Sequence, residues 1–200
     1  MIPVVERRGD ECPFWAVEPG EPYLEVRPAS GARLGAVVWA LVGGTGGIEA
    51  AAGGATDAIE VFLAEDDGRY FASGGLRVVV DGAAIDPGCC AGIEEWRTWS
   101  GAVRGQAVGF GHDPEVWVEC HGPVLRVWED PIGTGEPGPE ARHVEFPADA
   151  LPGLLLGVRQ QLADFLGAAH RWALDVAPAR ADRFVDALDR RLEVSAPLEL

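Results

Sequence analysis

Between residues 115 and 130 the chain reads EVWVECHGPVLRVWED, with apolar and polar residues alternating on both sides of His121-Gly122. Alternation with period two puts successive side chains on opposite faces of a strand. Two such runs joined by a glycine-containing pair read as a β-hairpin. A two-residue turn at His121-Gly122 pairs Cys120 with Pro123, Val118 with Leu125 and Trp117 with Arg126. One face then carries Val116, Val118, Cys120, Leu125 and Val127, and an apolar face of this kind has to be covered by another layer. The opposite face carries Glu115, Trp117, Glu119, Val124, Arg126 and Trp128. Pro123 has no N–H to give to a ladder, so this end of the hairpin is expected to be frayed or to lie at an edge.

The covering layer is supplied by the C-terminal part of the sequence. Leu151, Leu155, Val158, Leu162, Phe165, Ala169 and Trp172 recur at helical spacing, and a second helix follows Pro178 with Phe184, Val185, Leu188 and Leu192 on one side. On its outer side Asp186 stands four residues before Arg190. Earlier, residues 22–28, 36–42, 58–64 and 76–81 are short apolar runs between Pro and Gly, the pattern of strands, with Gly74-Gly75 as a turn. Residues 86–96, DPGCCAGIEEW, form a turn followed by a short helix in which Ile93, Trp96, Trp99 and Ser100 share one side. A last strand is expected around His143–Phe146. Strands first and helices last predict an α+β fold, a mainly antiparallel sheet packed by two C-terminal helices. A length of 200 residues and 48% hydrophobic content suit a single α+β domain over residues 1–200. The Pro- and Gly-dense stretch 131–141 is expected to be a mobile loop within it.

The chain has no lysine, and its 16 arginines face 32 acidic residues for a net charge of −16. A field of that sign repels phosphate backbones and anionic lipid, so no nucleic acid and no membrane are expected as partners, whereas a basic protein partner is favoured. The start, MIPVVERRGDECPFW, lacks the basic and apolar regions of a secretory signal, which gives a cytoplasmic expectation. There the four cysteines are expected to be thiols and not disulfides. Oligomeric state leaves no trace in the sequence.

Four segments have residue types that carry chemistry. The run VVWALVGGTGG from Val37 resembles a dinucleotide-binding turn, but its glycines miss the GxGxxG spacing and no β-α alternation follows. It is read as a glycine-rich connection. Cys89, Cys90, His112, Cys120 and His121 fall within 33 residues and are types that zinc takes. Their pairing as neighbours differs from the usual two- to four-residue spacing, and neighbours on a strand point to opposite faces. Redox use of the Cys89-Cys90 pair is opposed by Glu94 and Glu95, which disfavour a thiolate. His112 and Asp113 could serve acid–base chemistry only with a nucleophile such as Ser100, and as a turn before Pro114 they need none. Last, Trp117, Arg126 and Trp128 share one hairpin face. Exposed, they have the composition of a protein-binding hot spot; covered by helices, they are core.

The segments DPGCCAGIEEWRTW and GHDPEVWVE resemble hypothetical proteins of GC-rich actinobacteria. That resemblance implies a cytoplasmic location and one local unit built from both segments, and it assigns no catalytic residue. Small size, acidity and mixed architecture are also similar in kind to immunity proteins of bacterial toxin systems. The leading expectation is therefore a non-enzymatic, immunity-like accessory protein that binds another protein through Trp117, Arg126 and Trp128, with no catalytic residues and no cofactor. The alternatives are a metal- or thiol-dependent enzyme centred on Cys89, Cys90, His112, Cys120 and His121, with zinc as the cofactor, and a small-molecule binder with a groove between sheet and helices.

Overall fold

The computed structural model describes residues 1–51, 53–129 and 141–200; the expected loop at 131–141 lies almost wholly outside them. In chain order the elements are β1 (Ile2–Glu6), β2 (Tyr23–Glu25), α1 (Gly31–Val42), α2 (Ile48–Ala51), α3 (Ala55–Ala64), β3 (Gly74–Val80), β4 (Ala83–Ile85), α4 (Ser100–Val103), β5 (Val108–Gly109), β6 (Val116–His121), β7 (Val124–Glu129), β8 (Arg142–Pro147), α5 (Leu151–Val176) and α6 (Ala181–Leu192). The strands form two four-stranded antiparallel sheets, so the protein is α+β as expected. Among the described residues no helix is long and apolar enough to cross a membrane.

Two of the expected strands are helices. Residues 36–42 lie in α1, where all nine residues from Leu34 to Val42 are buried. A helix buried on every side shows no periodicity, so its apolar run looks like that of a buried strand. Residues 58–64 lie in α3, where Ala58, Ile59 and Phe62 are the buried positions, a helical spacing. Gly74 and Gly75, expected as a turn, lie inside β3. A Cβ at Gly75 would come 2.9 Å from Pro87, so the bare backbone there admits the neighbouring chain.

The chain divides into two compact units. Unit 1 takes residues 1–4, 73–159 and 197–200. It holds β3 paired with β4, and the second sheet in the order β5-β6-β7-β8. The hairpin is present, with Cys120 opposite Leu125, Val118 opposite Val127 and Trp117 opposite Trp128. The turn is Gly122-Pro123, one residue on from the expected pair, which shifts each cross-strand partner by two, and Gly122 has φ +62°. A slip of two keeps every side chain on its face. Val116, Val118, Leu125 and Val127 are accordingly buried, joined by Val144 and Phe146 of β8. Cys120, expected among them, is exposed at the turn end of its strand. Ile93, Trp96 and Trp99 are buried along a 3-10 helix, Ile93–Trp99, whose three-residue turn aligns that spacing. Trp99 stacks on Phe110 at 4.6 Å.

Unit 2 takes residues 5–72 and 160–196. Its interior is a run of edge-on aromatic contacts in which Trp15 meets Trp39 and Trp172, and Phe62 meets Phe184 and Tyr70. On the part of α5 in this unit Leu162, Phe165, Ala169 and Trp172 are buried as expected, and on the part in unit 1 Leu151, Leu155 and Val158 are buried too. On α6 Val185 is only half-buried, and the inner position is filled instead by Arg191, whose side chain is 1% exposed. Its guanidinium lies 4.1 Å from the Phe62 ring centroid and 5.0 Å from that of Tyr70. It donates to Asp67 at 2.7 Å and to the carbonyls of Phe62 and Glu65 at 3.1 and 2.8 Å. Arg191 thus caps the end of α3, adding a second donor to the Phe62 carbonyl, which already accepts from the Glu65 N–H, and serving the Glu65 carbonyl beyond it.

Candidate metal and thiol site

The segment around residues 86–90 and the loop around 110–114 lie against each other. Gly88 N–H donates to the Phe110 carbonyl at 3.0 Å, and His112 N–H donates to the Cys89 carbonyl at 3.0 Å. Two glycines permit this approach. A Cβ on Gly88 would fall 2.2 Å from the Pro114 carbonyl oxygen, and one on Gly111 would fall 2.4 Å from that of Cys89. Beside this contact Cys90 adopts φ +62° and Asp113 φ +52°, left-handed backbone that non-glycine residues rarely hold.

The consequence is a convergence of side chains. Cys89 Sγ and His112 Nδ1 are 3.0 Å apart. One ligand atom each from Cys89, Cys90 and His112 lies within 4.8 Å of the other two. Both neighbouring cysteines therefore face one point, because they sit on a turn and the opposite-face rule of a strand does not apply to them. Partial burial, the Cys90 thiol and the Asp113 carboxylate push the Cys89 thiol above its ordinary value. The Cys89 thiol and His112 Nδ1 share a hydrogen bond, and a thiol whose pKa is raised is a poor redox nucleophile. Closure of the pair into a disulfide is also opposed: consecutive α-carbons stand about 3.8 Å apart, short of the roughly 4.4–6.8 Å a disulfide prefers.

Cys120 and His121 take no part in this cluster. Cys120 donates its thiol to the Ala102 carbonyl of α4 at 3.5 Å, and His121 is paired with Val124 beside the hairpin turn. Cys12, in unit 2, is likewise a free thiol, pushed up chiefly by burial. Ser100 accepts from Arg104 at 3.4 Å.

The second candidate surface is the other face of the hairpin. Trp128 is 9% exposed and Trp117 half-buried. Arg126 lies 5.1 Å from the Trp128 ring centroid and donates to Glu145 at 2.7 Å. It is the main cause of the lowered pKa of Glu145. Trp128 donates its indole N–H to Glu119 at 3.1 Å and packs on His143. The cover on Trp128 includes its own sheet neighbours, Arg126 and His143. Neither Glu145 nor His143 could be placed opposite this face from the sequence, because β8 follows the uninformative stretch at 131–141.

No protein-family model matches the chain, and neither a curated protein nor a solved structure matches it.

Proposed function

We propose that the protein binds one thiophilic metal ion, of the zinc class, through Cys89, Cys90 and His112. The observation that carries this reading is the convergence of three soft donors within 4.8 Å. Zinc holds sulfur at about 2.3 Å and imidazole nitrogen at about 2.0–2.1 Å, so two of its ligands stand roughly 3.5–3.8 Å apart. Small side-chain rotations would bring the three atoms to those separations. A bound ion would replace the shared proton between Cys89 and His112 and would hold both loops together. Elemental analysis of protein purified without chelator, followed by zinc titration, should give about one equivalent. Cys89→Ser, Cys90→Ser and His112→Ala should each weaken binding at least about tenfold, roughly 1.4 kcal/mol. Less than about a tenth of an equivalent, with no uptake on titration, would remove the reading.

A second reading is that of a cytoplasmic accessory protein that binds a basic partner through the face of Trp117, Arg126 and Trp128. It is supported by the incomplete burial of Trp117 and by the fixed position of Arg126 between Trp128 and Glu145. Trp117→Ala should then abolish co-purification with that partner while leaving the circular dichroism spectrum unchanged. Retained co-purification would exclude this face.

A further inference from the structure

We propose that the metal centre is open, with three ligands from this chain and a fourth position that takes a thiol from outside it. This rests on the reading that Cys89, Cys90 and His112 hold an ion. Among the described residues, the cluster contains only those three. Asp113 has a carboxylate oxygen 3.8 Å from His112 Nδ1, but its side chain is 95% exposed and lies outside the cluster. Cys120, the third cysteine in this unit, is bonded to the Ala102 carbonyl. Cys90 and His112 are exposed, so the ion would face solvent on one side. Four-coordinate zinc with three protein ligands keeps an exchangeable position, and a centre already carrying two thiolates favours another soft donor over a carboxylate.

The exchange balances without redox chemistry. A metal-bound water leaves, the incoming thiol gives its proton to solvent, and its sulfur bonds the ion, whose oxidation state is unchanged. With a chain net charge of −16, a neutral or cationic thiol is preferred over an anionic one. A small-molecule thiol and a cysteine of a basic polypeptide share this chemistry.

The full chain loaded with cobalt(II) under anaerobic conditions tests the proposal, because sulfur-to-cobalt charge transfer in the near ultraviolet scales with the number of bound thiolates. Titration with β-mercaptoethanol should raise that band by about half, as three thiolates replace two, and saturate at one thiol per ion. An arginine-rich peptide with one cysteine should give the same final band. Saturation at a much lower concentration for the peptide assigns the donor to a polypeptide; equal concentrations assign it to a small thiol. A two-thiolate band that no thiol changes would overturn the open site while leaving the metal reading intact. A thiol response that appears only in Asp113→Ala would overturn it too, by showing that Asp113 fills the position. A starting band that falls by about a third in Cys120→Ser would do the same for Cys120. Absence of any near-ultraviolet band would remove the metal centre and the proposal together.

Discussion

Arg191 shows how a single residue can be decisive and still be overlooked. On α6 it stands seven residues after Phe184 and three after Leu188, on the inward stripe, and a charged residue there is a signal that something will be paired inside. Its partners could not be read, because Asp67 and the carbonyls of Phe62 and Glu65 lie more than 120 residues away. Arg191→Met removes the donor to the Glu65 carbonyl and one of the two donors to the Phe62 carbonyl, and should lower unfolding free energy by about 2 kcal/mol. A denaturant midpoint unchanged from the parent would disprove the clamp. Asp67 is the exposed half of the pair, and Arg191, first among its neighbours, holds its carboxyl below the usual range. A folded pKa below the unfolded value of about 3.9 means that the pair's contribution is present above that pH and is lost as pH falls through the folded pKa. Asp67→Asn should therefore cost about 1 kcal/mol or less near neutrality, since water screens this carboxylate. It should also reduce the loss of stability on acidification below about pH 4, measured by denaturant titration at successive pH values.

At the level of elements, the faces of β6 and β7 were legible and their register was not. Alternation fixes which residues point together, whereas the register depends on which two residues make the turn. Gly122 takes the positive φ that a tight hairpin turn requires, and Pro123 can follow because the turn asks no ladder N–H of it. Gly122→Val should destabilise the hairpin by about 1 kcal/mol, read as a lower melting temperature. Failure of the alternation rule in α1 has the opposite cause, since complete burial erases the contrast on which that rule depends. The Cys/His cluster was half legible. Residue types named all five candidates, but the turn geometry that joins Cys89 to Cys90, and the bond that takes Cys120 to α4, arise from tertiary structure. Gly88→Ala tests that geometry directly, because its Cβ would collide with the Pro114 backbone. Zinc uptake should be lost in this variant; an unaltered affinity would show that the close approach is not what assembles the site.

For the molecule as a whole, the sequence correctly predicted the class, α+β with antiparallel sheets, and gave no sign of the two-unit division. The strong acidity predicts that moderate salt raises the melting temperature by screening self-repulsion, and a fall on addition of sodium chloride would contradict this. The division has a consequence for biosynthesis. Unit 1 draws residues from Met1 to Leu200 and unit 2 from Val5 to Ala196. Unit 2 lacks part of its interior until residues 160–196 have left the ribosome, and a nascent chain of 150 residues, with α5 and α6 still unmade, holds neither interior complete. Contacts of such sequence separation form slowly and leave apolar surface open meanwhile. Arrested chains shorter than 160 residues should thus remain protease-sensitive, and unit 2 should gain protection only once residues 160–196 have emerged.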